Sequence, residues 1–427
     1  MNISVFFENT RENTTIRSRL YLLLLIGCMC VAGCGYATAD TNESADTTLT
    51  VRDQITANDS ISDESWIMPG IGHQDDLLMD PYPHIRSHER ESAHNATDVK
   101  NATSVSSAVS TRAAGSETGS SGVNTTDLEL TWQRCVGGSE DEESYAMIQT
   151  SDGGYLMGGY SYSNDGDVSG NHGSADYWIA KFDASKNLQW QKCLGGTGFE
   201  VISSIIQTTD GGYLAGGHSF SNDGNVTGNH GKSDIWIVKL DASGNITWQK
   251  CFGGSEYELI YSVIQMSDGG YLIGGATDSD DGDVSGHHGS RDIWVVKLDT
   301  SGNLVWQKCL GGSLHDVSYT TIQTTDGGFL VYGKTYSDDG NVTGYHGGLD
   351  IWVVKLDSAG TLVWQNCLGG SGLDYPYSVI QTTDGGYLVN GCSTSNDGNV
   401  TGNHGNSDIW ALKLDTSGNL VWQKYLG

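Results

Sequence analysis

Proline is nearly absent, with 4 residues in a chain of 427. Chain reversals must therefore come from glycine, of which there are 59. Basic residues are also scarce: 22 Lys and Arg stand against 52 Asp and Glu, for a formal net charge of −30. A phosphate binder needs clustered Lys and Arg, so this composition excludes nucleic acid as a partner. It suits a soluble, self-repelling surface in an extracellular setting. No catalytic constellation stands out either. Carboxylates recur in equivalent places, so no asymmetric acid/base pair can be picked, and no Ser nucleophile motif with a His partner is present.

Long apolar runs are missing as well. The one apolar stretch, Leu20 to Ala32, follows Arg11, Arg17 and Arg19. A charged segment before a short apolar run reads as a secretory signal, and the run falls short of the ~20 residues that span a bilayer. It ends Val31-Ala32-Gly33-Cys34, which resembles the lipobox of prokaryotic lipoproteins. That resemblance implies that residues 1–34 are a signal peptide and that Cys34 is lipidated. An ordinary cleaved signal and an uncleaved anchor are the alternatives, and all three place the following chain outside the cytoplasm. With Cys34 lipidated, the protein sits at the extracellular face of the membrane, held by its N-terminal anchor.

Residues 35–127 are rich in Ser, Thr, Asn, Asp and Ala and show no apolar periodicity. Such a segment cannot bury enough apolar surface to offset its chain entropy, and it reads as a disordered stalk. Sequons lie at Asn42, Asn58, Asn95, Asn101 and Asn124, and more follow at Asn225, Asn245, Asn341 and Asn399, so glycosylation outside the cell is expected.

What the chain does have is a repeat. Trp132 recurs as Trp190, Trp248, Trp306, Trp364 and Trp422, each step 58 residues with no insertion. The units run over about 133–190, 191–248, 249–306, 307–364 and 365–422, within a domain spanning 128–427. In the second unit, residues 201–207 form a first strand and residues 208–212 an Asp-Gly turn; residues 213–218 form a second strand. A long loop covers 221–233. Residues 234–240 form a third strand, 241–245 a turn and 246–251 a fourth strand. Four short antiparallel strands repeated five times predict an all-β fold, a five-bladed β-propeller. Packing blade on blade buries the sheet faces, and closing the ring removes the end faces. Trp236 and Trp248 are expected to supply much of the inter-blade packing. The leading residues 128–132 are one strand too many. Either they add to the outer edge of the last blade, or they close the ring while Leu420-Val421-Trp422 frays.

The pattern Gly195-Gly196 … Asp210-Gly211-Gly212-Tyr213 … Asp234-Ile235-Trp236 … Lys239-Leu240-Asp241 … Gly244-Asn245 … Trp248 resembles the SBBP-type β-propeller repeats of bacterial and methanogen-archaeal surface proteins. The resemblance covers residues 128–427. It implies a propeller and a cell-surface setting, and no reaction. Thr208-x-Asp210-x-Gly212 also resembles the start of the Asp-box hairpin of sialidase-type propellers, without its aromatic end. Asp241-x-Ser243-Gly244-x-x-x-Trp248 resembles the Trp-docking motif of quinoprotein propellers, one residue shorter. No sialidase or quinone chemistry is carried over from either.

Within a blade, the two short turns lie on one face, and the long loop and the inter-blade link on the other. The long-loop face is the expected binding face. Asp165, Asp167, Asp223, Asn225, Asp281, Asp283, Asp339, Asn341, Asp397 and Asn399 recur in the long loops and are candidate Ca²⁺ ligands, being hard oxygen donors in a Gly-rich turn. The spacing is not that of an EF-hand. The alternatives are that they and the loop histidines His172, His230, His288, His346 and His404 bond the loop backbone, or that they contact a ligand. The links vary among blades and are acidic and aromatic: Glu142, Tyr145, Phe199, Glu200, Tyr257, Glu258, His315, Asp316, Asp374 and Tyr375 are the candidate ligand-binding residues. They suit a carbohydrate or a cation.

Cys135, Cys193, Cys251, Cys309 and Cys367 share one position in successive units, too far apart for disulfides, and are expected to be free thiols. The function expected from these readings is a cell-surface binding or adhesion module that presents the long-loop face to a glycan, an envelope polymer or a protein. A structural envelope protein and a carbohydrate-active hydrolase or lyase are the alternatives.

Overall fold

A computed structural model describes residues 4–12, 15–23 and 131–427. Cys34 and the stalk expected over 35–127 lie outside the described residues. Strands β1 (Ser4–Glu12) and β2 (Thr15–Leu23) form an antiparallel hairpin. No helix among the described residues is long and apolar enough to cross a membrane.

The repeat region is all-β, with five four-stranded antiparallel sheets, the blades of a β-propeller. Blade 1 holds β3 (Glu142–Gln149), β4 (Tyr155–Ser161), β5 (Asp176–Phe182) and β6 (Leu188–Leu194). Blade 2 holds β7 (Glu200–Gln207), β8 (Tyr213–Ser219), β9 (Asp234–Leu240) and β10 (Ile246–Phe252). Blade 3 is β11 (Glu258–Gln265), β12 (Tyr271–Thr277), β13 (Asp292–Leu298) and β14 (Leu304–Leu310). Blade 4 is β15 (Asp316–Gln323), β16 (Phe329–Thr335), β17 (Asp350–Leu356) and β18 (Leu362–Leu368). Blade 5 is β19 (Asp374–Gln381), β20 (Tyr387–Ser393), β21 (Asp408–Leu414) and β22 (Leu420–Leu426). Strands pair in sequence order, and the first strands of neighbouring blades lie together, so they form the inner edge.

Turn chemistry explains the hairpins. At Thr208–Gly212, Asp210 Oδ1 accepts both Thr208 Oγ1–H at 2.6 Å and Gly212 N–H at 3.0 Å, and Gly211 takes φ 84°. The buried ammonium of Lys239, on the third strand, reaches back to Asp210 at 2.9 Å and ties the two hairpins together. In the second turn Asp241 Oδ1 accepts the N–H groups of Ser243 and Asn245, both at 2.9 Å.

The two tryptophans of a blade face opposite neighbours. Trp236 is fully buried, its ring centred 4.5 Å from Tyr177 of the preceding blade, and its Nε1–H donates to Gln249. Trp248 packs forward on Tyr271, with ring centroids 6.0 Å apart. Each junction repeats a second set of contacts. Gln207 accepts the Ser151 N–H, as Gln265 does from Thr209, Gln323 from Ser267 and Gln381 from Thr325. A parallel bridge joins Ala175 to Phe199, and likewise Ser233 to Tyr257, Arg291 to His315 and Leu349 to Leu373.

One sequence expectation is corrected. The bridges that join successive blades do not recur between blades 5 and 1 among the described residues. β22 does not fray. β22 pairs along β21, while Trp132 lies against Tyr155 of blade 1 at 5.9 Å. That is the seat which Trp190, Trp248, Trp306 and Trp364 take on the blades that follow them. With the seat filled, Trp422 remains 42% exposed.

Cys193, Cys251, Cys309, Cys367 and Cys392 are buried and Cys135 is exposed; all six are free. Burial pushes the Cys193 and Cys309 thiols up to about 12, so they behave as small apolar groups rather than nucleophiles.

Candidate functional site

The long loops and the links meet on one face. In blade 2, Asp223 Oδ1 accepts the Thr197 N–H at 2.8 Å and Asn225 Oδ1 the Gly195 N–H at 3.2 Å, both from the link that precedes the blade. The same caps recur in the other blades. Asp165, Asp281, Asp339 and Asp397 accept the N–H groups of Ser139, Ser255, Ser313 and Ser371. Asp167, Asp283, Asn341 and Asn399 take those of Gly137, Gly253, Gly311 and Gly369. A backbone N–H stands where a cation would have to approach, so these ten side chains hold loop to link. Among the described residues no group of three or more His, Cys, Asp or Glu converges as a metal cage.

The loop histidines do related work. His172, His230, His288, His346 and His404 each place Nδ1 within 2.6–2.9 Å of the Asp that opens the third strand. Those aspartates, Asp176, Asp234, Asp292, Asp350 and Asp408, are buried.

The acidic link candidates lie inside the protein. Glu200, Glu258, Asp316 and Asp374 have no exposed surface. Glu200 accepts the Gly196 N–H at 2.8 Å and the Ser219 hydroxyl at 2.8 Å, and Glu258 repeats this with Gly254 and Thr277. Asp316 accepts from Gly312 and Ser337, and Asp374 from Gly370 and Ser395. Glu142 is the partly exposed counterpart, bonded to Gly138 and Ser161. These carboxylates set the link and do not present themselves to a ligand, which corrects their expected role. Burial raises all four of the fully buried ones, Asp316 to about 6.

The aromatic candidates behave differently. Phe199 and Tyr257 stay at the surface of the links and join residues from the ends of the second strands. Tyr145 lies 6.0 Å from Tyr160, Tyr160 lies 5.5 Å from Phe199, and Phe199 lies 6.3 Å from both Tyr162 and Phe220. Phe220 in turn lies 6.3 Å from Tyr257, whose ring carries the Lys232 ammonium at 4.8 Å. The result is a continuous aromatic strip across the first two junctions. Tyr162 and Tyr257 are its exposed members, at 40% and 39%. Under it lies His218, wholly buried, with neither ring nitrogen hydrogen-bonded, and burial lowers it to about 4.

The strip stops at blade 3. The residues equivalent to Phe220 are Asp278 and Tyr336, and Asp278 holds Arg291 in a two-bonded ion pair. His315 sits beside Ser290, and Lys334 lies over Tyr319 and Tyr336. Tyr375 is half-buried in β19. Tyr160, Tyr162, His218 and Phe220 were not anticipated from the sequence. The signal was available: at the end of the second strand the repeat reads Tyr160, His218, Ala276, Lys334 and Cys392, as variable as the links.

No protein-family model and no curated protein matches this chain. Solved structures do show distant likeness. A mutant of the Synechocystis apocarotenoid oxygenase shares 11% identity at TM-score 0.36, over 66% of this chain and 61% of its own. The Pyrococcus horikoshii acylaminoacyl peptidase gives 12% identity and TM-score 0.34, over 67% of this chain and 39% of its own. A putative exo-β-1,3-galactanase from Bifidobacterium bifidum gives 13% and 0.34, over 66% of this chain and 90% of its own.

Proposed function

We propose that this chain is a cell-surface binding module, tethered through its N-terminal segment, whose aromatic strip holds a carbohydrate. The observation that carries the reading is the strip itself. In a repeat whose core is nearly invariant, one sector of the long-loop face gathers seven rings, Tyr145, Tyr160, Tyr162, Phe199, His218, Phe220 and Tyr257, over two junctions. Aromatic faces offer flat apolar area at low entropic cost; here the exposed rings of Tyr162 and Tyr257 rest on a packed base that includes the buried Tyr160 and His218. The C–H faces of sugar rings match such a platform, and the tyrosine hydroxyls can bond the sugar's edge. The likeness of the repeat to propeller repeats of surface proteins supports the extracellular setting, and so does the lipobox-like Val31-Ala32-Gly33-Cys34.

The test is binding of the chain to an immobilised glycan panel, followed by titration of any hit. Tyr162→Ala and Tyr257→Ala are each expected to weaken binding about tenfold, as loss of an anchoring aromatic does. Tyr377→Ala is the control, equally exposed at 39% but off the strip. Binding should survive EDTA, because the loop carboxylates already hold backbone N–H groups. Absence of saturable glycan binding, or equal loss in the Tyr377 control, would refute the reading.

A further inference from the structure

We propose that the buried carboxyl pairs between blades are proton-sharing seams, each pair keeping one proton between its two side chains and so making the blade stack stable in acid and weaker in base. Every third strand opens with a buried Asp, and every following first strand opens with a buried acid: Asp176 with Glu200, Asp234 with Glu258, Asp292 with Asp316, Asp350 with Asp374. The members of a pair come from different blades yet meet over one glycine. A Cβ on Gly311 would lie 2.6 Å from Asp316 Oδ2 and 2.8 Å from Asp292 Oδ1. On Gly369 it would lie 2.5 Å from Asp374 Oδ2 and 2.6 Å from Asp350 Oδ1. Only glycine lets both carboxyls approach the link backbone so closely.

The hydrogen bonds leave this seam incomplete. Asp292 Oδ2 is held by His288 Nδ1 at 2.6 Å and its backbone N–H at 3.0 Å, and Asp316 Oδ2 by Gly312 and Ser337. Asp292 Oδ1 and Asp350 Oδ1 have no partner, while the hydroxyls of Thr335 and Ser393 lie beside Asp316 and Asp374. An orphaned buried carboxylate oxygen costs free energy, and two desolvated like charges side by side cannot both persist. A proton on one carboxyl removes one charge and supplies the missing donor.

The surroundings do not supply a fixed cation. The groups acting on Asp292 and Asp316 are His288 and His287 of the long loop, the Cys309 and Cys367 thiols and the Tyr345 phenol. For Asp350 and Asp374 they are His346, Tyr345, Cys367 and Tyr425. Asp408 opens β21 with the same histidine contact, at 2.9 Å, but is less completely buried than the other four, and its carboxyl lies below the ordinary value, held there by the His404 N–H. Burial puts Asp316 and Asp350 at about 6. A folded value above the unfolded 3.8 means stability that is complete below 3.8 and lost as pH rises through about 6.

The experiment is chemical denaturation of the full chain at several pH values between 4.5 and 8, with Asp316→Asn and Asp374→Asn combined. The amide mimics the protonated acid and can donate to Asp292 or Asp350. Wild type should lose stability across pH 6. The double variant should match it at pH 4.5 and at pH 8 exceed its folded-to-unfolded ratio by at least about tenfold, one pKa unit's worth. An unchanged pH slope in the variant would overturn the proposal. So would wild-type stability at pH 8 that rises with added Ca²⁺ and falls with EDTA, which would put a cation in the seam instead. Should the variant not fold, the infrared band of a protonated carboxyl in the wild type at pH 6 decides; its absence refutes the shared proton.

Discussion

At the scale of single residues, position within the repeat sets what a side chain is worth. Trp294 has no exposed surface, and its Nε1–H is bonded to Gln307 at 2.8 Å. Trp294→Ala should cost about 3–5 kcal/mol in urea denaturation, the range for emptying an aromatic core site. Trp422, 42% exposed, has no following blade against it among the described residues, and Trp422→Ala should cost under about 1 kcal/mol. The carboxylates likewise divide into two kinds. Asp210 and Asp384 are drawn down to about 2, chiefly by the hydroxyls of Thr208 and Thr382, with help from the lysine across the blade. Their stabilising effect is present above 3.8 and fades as pH falls through about 2, whereas that of the seam acids fades as pH rises through about 6. The two trends oppose each other, so a melting-temperature profile should peak near pH 4.

At the scale of elements, the glycines of the two hairpin turns make a controlled comparison. Gly211 and Gly244 both adopt left-handed φ, 84° and 78°. A Cβ on Gly211 meets nothing within 4 Å, while on Gly244 it would sit 2.9 Å from the ring of Trp190. Gly211→Ala therefore bears only the backbone strain, about 1 kcal/mol, and Gly244→Ala should lose clearly more by pushing Trp190 off Tyr213. Denaturation midpoints of the two variants check the order.

Strands and turns of this kind were legible in the sequence. Asp-Gly turns and β-branched runs at a constant 58-residue step place the strands of the blades to within a residue or so; the pattern starts the first strand of blade 2 at Val201, and it begins at Glu200, whereas the hairpin β1–β2 has no such signal. The links were harder. In Phe199-Glu200 and Tyr257-Glu258 the acid looks like the solvated residue and the ring like the buried one. Burial reverses them, because each acid is wrapped by groups distant in sequence: Gly196 and Ser219 around Glu200, Gly254 and Thr277 around Glu258. The loop aspartates carry three meanings in the sequence, cation ligand, loop cap and ligand contact, and only the facing N–H groups, some 26 residues back along the chain, separate them. The aromatic strip was half legible, since its link residues were picked out and its second-strand residues were not.

At the scale of the whole molecule, each blade depends on its neighbours alone, as in other repeat proteins. Every junction uses a Trp, a Gln and a pair of buried acids in the same places, the second acid being Glu at the first two and Asp at the next two, so one junction can stand in for another. Excising residues 259–316, one full period, joins Glu258 to Val317 and recreates an ordinary blade boundary. A four-bladed chain should fold with near-native far-UV dichroism and keep its aromatic strip. Excising 201–258 should fold equally well but remove His218, Phe220 and Tyr257, and with them the glycan binding.

That interchangeability has a consequence for inheritance. Near-identical tandem units invite unequal crossing-over, and ordinarily a gained or lost segment ruins a fold. Here an exchange in register leaves each surviving blade with a familiar neighbour on either side. The number of blades can thus drift without cost to folding, while the side chains at the second-strand ends, which take no part in the repeated junction contacts, diversify the surface that meets the outside world.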